Sequence, residues 1–280
     1  MSFLIDILKS VLVGIVHGIA SWLPLSASGH LNLMNQILFP AGYPEGFADL
    51  FLPVLNLCSL IAAVLLFGNR ILPFGKQGNR SRRVSPWRLP AILIAAALPS
   101  VLLQILLGGI VSRWCSSAAV TAGCLIVFGL FLLAADGAEE TKYNSLNAVP
   151  FVPALLAGCA GALGMIPGVS RIGAVMTAGM LLGFSRSTAA EFAVCLMIPV
   201  RLVTSILMLA GTHSALDFKT FLMLWAAAAA SLMISFAVIR TFVQYCQDHD
   251  VRIFAVCRVL VGIAAIAMII LRVLPSGFGV

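Results

Sequence analysis

The chain has 280 residues, of which 61% are hydrophobic and 10% charged, with a formal net charge of +7 and a mean hydropathy of +1.09. Soluble domains carry roughly a quarter charged residues, so this composition cannot clothe a water-facing surface, and the lipid bilayer is its solvent. The basic excess does not indicate a nucleic-acid partner because much of it sits in one short loop, and the 7 cysteines form no CxxC pair and read as small apolar packing residues.

A full span needs about 20 apolar residues. The chain opens instead on Phe3–Phe39, apolar over two helices' length but broken by glycine and proline, with polar residues at its centre. Asp6 and Lys9 mark its outer, interfacial end. Full spans are then predicted over Leu50–Phe67, Leu89–Val111 and Ala118–Ala135. A second broken segment, Val149–Phe184, follows, and further spans cover Thr188–Gly211, Phe218–Ile239 and Ile253–Val273. Irregular backbone at membrane depth must face protein or a wet cavity, so both broken segments are predicted as re-entrant helix pairs.

Basic residues in short loops set the orientation. Arg70, Lys76, Arg80, Arg82, Arg83 and Arg88 follow the first full span with no acid among them, which places that segment in the cytoplasm. Alternation then puts Asp136 to Lys142, Arg186 and Arg240 to Arg252 inside, and Arg113, Asp217 and Lys219 outside.

The two broken segments resemble each other. Gly14…Pro24-Leu-Ser26-Ala-Ser-Gly29 and Gly158…Pro167-Gly-Val-Ser170-Arg-Ile-Gly173 each set a proline shortly before Ser-x-x-Gly, and an apolar helical run follows. Three spans come after each segment, so the second half must lie inverted relative to the first. The predicted fold is therefore all-α and polytopic: one membrane domain, 1–280, with inverted repeats 1–143 and 148–280. Its two breaks enter from opposite faces and meet near the midplane, the layout of many secondary transporters.

The breaks gather His17, Ser21, Ser26, Ser28, Gly29 and His30 on one side, and Gly168, Ser170 and Arg171 on the other. Backbone N–H groups freed at a helix start, serine hydroxyls and a guanidinium suit an anion, phosphate above all. An arginine at membrane depth is a functional-site hypothesis by default. Arg258 joins the predicted binding set, Arg201 can add to the positive field, and Glu191, the nearest acid to the second break, is available to pair with one of these arginines.

His17-Gly-Ile-Ala-Ser-Trp-Leu-Pro-Leu-Ser-Ala-Ser-Gly-His30 resembles the signature Glu-Gly-x-Thr-Glu-Phe-Leu-Pro-[Val/Ile]-Ser-Ser-Thr-Gly-His of bacterial undecaprenyl-pyrophosphate phosphatases, the bacitracin-resistance proteins. Pro167-Gly-Val-Ser-Arg-Ile-Gly-Ala-Val175 resembles their second signature, Pro-Gly-x-Ser-Arg-Ser-Gly-Ala-Thr. The resemblance extends in order along nearly the whole chain. It implies a multi-pass protein of the bacterial inner membrane acting on a polyprenyl (undecaprenyl) diphosphate. In that family the two glutamates of the first signature are an acidic catalytic pair acting with metal. Here their positions hold His17 and Ser21, and Ala27, Ile172 and Val175 replace further polar residues.

Two functions stay open on these residues. The leading expectation is a carrier, flippase or non-hydrolytic binder of a polyprenyl phosphate or diphosphate head group. The alternative is an undecaprenyl-diphosphate phosphatase with altered machinery, in which His17 is nucleophile or base, His30 the acid and Arg171 the stabiliser of the phosphoryl group. Neither requires a metal or cofactor. The expected partners are the polyprenyl lipid, bulk membrane lipids and, for the protein itself, a possible homodimer.

Overall fold

A computed structural model describes residues 2–38, 47–71, 85–137, 141–212 and 216–273. Its helices are α1 (Ser2–Ala20), α2 (Ala27–Leu38), α3 (Phe47–Ile71), α4 (Arg88–Cys115), α5 (Ala118–Asp136), α6 (Phe151–Gly161), α7 (Arg171–Leu181), α8 (Arg186–Ala210), α9 (Phe218–Asp248) and α10 (Arg252–Ile270). No strand occurs among the described residues, and the protein is an all-α, polytopic membrane protein. Bilayer-facing positions are apolar all round, as lipid requires: Leu65, Leu106, Phe131 and Ile270 are each more than half exposed.

Among the described residues, seven helices are long and apolar enough to cross a membrane. All the spans expected from sequence are among them, and the addition is α1. Its 19 residues reach span length on their own, because Gly14 and Gly18 interrupt the apolar pattern without breaking the helix. Even so, α1 and α2 close into a hairpin, since Lys9 Nζ donates to Leu38 O at 2.8 Å. From Lys9 to Ala20 is about 17 Å of helix, and α2 returns about 18 Å, at 1.5 Å per residue. The second pair is shorter on its outward limb, with 11 residues in α6 and 11 in α7. It too ends where it began: Tyr143 bridges Phe184, and Ser185 N donates to Tyr143 O at 3.0 Å.

The two hairpins open on opposite faces. On one face Arg70 pairs with Glu191 at 2.8 Å, Arg88 donates to Asn147 O at 2.6 Å and Val149 O at 2.8 Å, and Arg186 pairs with buried Asp136 at 2.6 Å. These contacts join the ends of α3 and α5 to the starts of α4, α6 and α8. On the other face Lys219 pairs with Asp6 at 2.6 Å, which joins the starts of α1 and α9. Glu191 is thus engaged by Arg70 at a helix end, and not by Arg171, Arg201 or Arg258. Lys76, Arg80, Arg82 and Arg83, on which the orientation rests, lie outside the described residues.

Each hairpin's first helix lies parallel to a long helix from the other half. A Cβ on Gly14 would fall 2.2 Å from Ala227 O, and one on Gly158 would fall 2.2 Å from Ala96 O. Only glycine lets the backbones approach so closely. Ser100 Oγ then donates to Gly158 O at 3.0 Å across the α4–α6 contact. These two contacts bring the ends of the hairpins together in the interior.

Candidate functional site

The helix after each break starts with a serine cap. Ser26 Oγ accepts from Gly29 N at 3.3 Å, and Ser170 Oγ accepts from Gly173 N at 3.1 Å. Such a cap satisfies one of the amides that a helix start leaves unpaired. The chain turns into these starts through left-handed backbone, at Ser26 (φ 74) and at Gly168 (φ 91). The Gly168 position has no room for a side chain, because a Cβ there would sit 2.3 Å from Thr121 O.

Arg258 of α10 ties the breaks together. It is 1% exposed, and it donates to Pro24 O at 3.2 Å and to Gly168 O at 2.9 Å, one carbonyl from each break. Ser170 Oγ adds a bond to Leu23 O at 3.4 Å. The two helix starts are therefore held face to face.

Between them lies a cavity of about 210 Å³, onto which both helix starts open, through Ala27 and Ser28 on one side and Ser170 and Arg171 on the other. Its polar wall is completed by His17, Ser21, Asn56, Gln104, Arg201 and Thr204. Arg171 Nη2 donates to Gln104 Oε1 at 3.0 Å, and its Nε, buried, has no protein partner. Arg201 donates to Ser21 O and, at 3.3 Å, to Ser59 Oγ, while its guanidinium stacks 4.2 Å from the Trp22 ring centroid. Ser21 Oγ is a second buried polar atom with no protein partner. His17 is fully buried, with Nε2 3.2 Å from Asn56 Oδ1 and Nδ1 2.7 Å from Ser231 Oγ.

The residues expected from sequence divide in two. His17, Ser21, Ser28, Ser170 and Arg171 line the cavity. Ser26, Gly29, His30, Gly168 and Arg258 do not line it and shape the breaks instead. Gly29 gives room for the opposite break, since a Cβ there would lie 3.1 Å from Gly168 Cα. His30 turns back on its own helix start, with Nδ1 2.9 Å from Ser26 O. Arg258 spends its charge on two carbonyls. Asn56, Gln104 and Thr204 were not anticipated. Their signal was polar side chains within long apolar runs, which membrane helices rarely carry without use.

No lining residue is a carboxylate, and among the described residues no group of three or more His, Cys, Asp or Glu could hold a metal. Mg²⁺ and Ca²⁺ require several oxygen ligands, usually carboxylates. Two guanidiniums in the wall oppose a cation further, so this donor set does not fit the divalent metal that the resemblance implies. It fits an anion. Two positive charges and two helix starts converge on this buried cavity, and a low-dielectric interior strengthens each interaction relative to bulk solvent.

Residues 10–264 match the family described as Bacitracin resistance protein BacA. Undecaprenyl-diphosphatase 1 of Clostridioides difficile (strain 630) is 32% identical over 265 residues, covering 94% of this chain and 96% of that protein. Undecaprenyl-diphosphatase of Limosilactobacillus fermentum is 32% identical over 270 residues, 94% of this chain and 98% of that protein. The Streptococcus gordonii undecaprenyl-diphosphatase is 31% identical over 273 residues, 95% of this chain and 96% of that protein.

Proposed function

Because the chain belongs to the bacitracin resistance protein BacA family, and is a multi-pass protein of the bacterial inner membrane, we propose that it acts on undecaprenyl diphosphate as a phosphatase with a rebuilt site. The observation that carries this is the pair of guanidiniums, Arg171 and Arg201, in a cavity free of carboxylates. The head group lies between them, and the polyprenyl chain extends into lipid.

Phosphoryl transfer asks little covalent chemistry of a protein and depends mainly on positioning and charge stabilisation. Water attacks the terminal phosphorus, the P–O–P bond breaks, and the products are inorganic phosphate and undecaprenyl phosphate, with the water's protons ending on phosphate or solvent. Arg171 and Arg201 neutralise the charge that gathers on the transferring group and on the bridging oxygen. Ser21, Ser28 and the amides at the starts of α2 and α7 orient it. His17, held on both ring nitrogens, takes part by holding Asn56 rather than by attacking phosphorus.

The inverted repeat, 1–143 and 148–280, belongs to the same proposal. The matched contacts of Gly14 and Gly158, and the matched caps at Ser26 and Ser170, support it.

The test is phosphate release from undecaprenyl diphosphate by purified protein in detergent, in EDTA and in Mg²⁺ or Ca²⁺. Release that persists in EDTA and is abolished by Arg171→Ala is the expected result. Protein that binds the lipid and releases nothing under any condition would replace hydrolysis with a second reading, a carrier or holder of the head group. The engagement of both His17 nitrogens favours that second reading, since it leaves no free base at the cavity.

A further inference from the structure

Resting on that assignment of the head group, we infer that the cavity takes the diphosphate bare of divalent cation, with the carboxamides of Asn56 and Gln104 as its uncharged donors. Both side chains line the cavity. Each has its carbonyl oxygen occupied by a residue of a break: Asn56 Oδ1 by His17 Nε2 at 3.2 Å, and Gln104 Oε1 by Arg171 Nη2 at 3.0 Å. A carboxamide whose oxygen is bound has its NH₂ left to offer.

The state of His17 follows from the same bonds. Asn56 Oδ1 can only accept, so Nε2 carries the proton. Nδ1 then accepts from the Ser231 hydroxyl at 2.7 Å. The chain Ser231–His17–Asn56 therefore runs in one direction, from α9 through α1 to α3, and fixes how the amide is presented. His17 is a positioning residue.

Every strong polar group on the wall is thus a donor or can turn to donate. Guanidiniums and amide NH₂ groups match the oxygens of a diphosphate. They offer nothing to a cation riding on it, and the two arginines repel one. A metal-bound diphosphate also carries less negative charge for the arginines to attract. The two carboxamides sit on different helices, α3 and α4, and each is set by a different break. The donor shell forms only when both breaks are in place.

The experiment measures binding of undecaprenyl diphosphate to the full-length protein in detergent, in EDTA and across a Mg²⁺ titration. The wild type is expected to bind in EDTA with affinity unchanged to within about twofold, and to bind more weakly as Mg²⁺ sequesters the diphosphate. Asn56→Ala removes donors to a charged group and is expected to weaken binding by about 10-fold to 100-fold. His17→Leu should match it, and the double variant should lose no more, the non-additivity of groups acting as one unit. His17→Gln keeps a donor for Asn56 and is expected to retain most of the affinity, which a merely space-filling role would not predict. Asn56→Asp puts a carboxylate on the wall, and its binding should be weak in EDTA and partly restored by Mg²⁺. Wild-type binding that requires Mg²⁺ or Ca²⁺ would overturn the inference and leave the head-group assignment standing. So would His17→Leu binding like the wild type in EDTA. A wild type that binds no undecaprenyl diphosphate under any condition would overturn the head-group assignment itself. The metal comparison on unaltered protein stands even where a variant fails to fold.

Discussion

The two breaks share a backbone plan and divide the chemistry. Each runs from a helix through left-handed backbone into a serine-capped helix, and each has a glycine at the third position of that helix. The second break carries Arg171, and the second half also sends Arg201 and Arg258 to the first break, where they hold Ser21 O and Pro24 O. The first half returns neutral groups: His17, Asn56 and Gln104. One half supplies charge and the other supplies directed, uncharged donors. Similar backbone geometry therefore does not imply similar duty, and His17 and Ser21 are uncharged neighbours of a cavity that two guanidiniums face.

The sharpest way to break this comparison is to remove charge from the second half. Arg201→Ala and Arg171→Ala are each expected to lower phosphate release by about 10²-fold to 10³-fold, the scale for losing one preorganised donor. Arg201→Lys should rescue poorly, because an ammonium cannot reproduce the planar fork that reaches Ser21 O and Ser59 Oγ. Equal tolerance of Arg201→Ala and a surface substitution would dissolve the division of labour.

Next in size is the tie between the breaks. Arg258→Met leaves the carbonyls of Pro24 and Gly168 without their donor, and unfolding in detergent should show a loss of about 2–4 kcal/mol. Matched substitutions then test the symmetry itself. Gly14→Ala and Gly158→Ala push a methyl into Ala227 O and Ala96 O at the same 2.2 Å, and each should cost about 1–3 kcal/mol, equal within error. A large inequality would mean that the two hairpins are not held alike. The caps sharpen the contrast further. Ser26→Ala and Ser170→Ala should each cost about 1 kcal/mol, with Ser170 the costlier because its hydroxyl also donates to Leu23 O. Glu191→Gln, which removes a partly exposed ion pair with Arg70 at a helix end, should change stability by less than about 0.5 kcal/mol and leave release unchanged.

Much of this arrangement was legible in the sequence. Hydropathy marks the long helices because lipid leaves few alternatives, and Pro24, Gly168 and the Ser-x-x-Gly steps mark the breaks because those residues permit or cap them. Arg171 was legible for the same reason that it matters: a charge at that depth needs a use. The partners of long side chains were not legible. Arg258 reaches Pro24, 234 positions away in sequence, and Glu191 reaches Arg70, 121 positions away. Only packing decides such pairs. The place of His30 at a helix start was legible, but the local bond of its ring to Ser26 O was not. Asn56 and Gln104 were passed over inside runs read for their hydropathy.

The close approach of Gly14 to Ala227 has a consequence for how the chain is made. Gly14 of α1 is made well before its partner Ala227 of α9, which lies 213 positions later in the chain. Until α9 arrives, the His17 imidazole lacks Ser231, its partner at Nδ1 in the finished protein. Biogenesis must therefore tolerate a long wait for α1, whereas α4 is already inserted when α6 emerges to meet it. The two breaks are tied to each other only once Arg258 of α10 has been made, so a product cut before it lacks that tie.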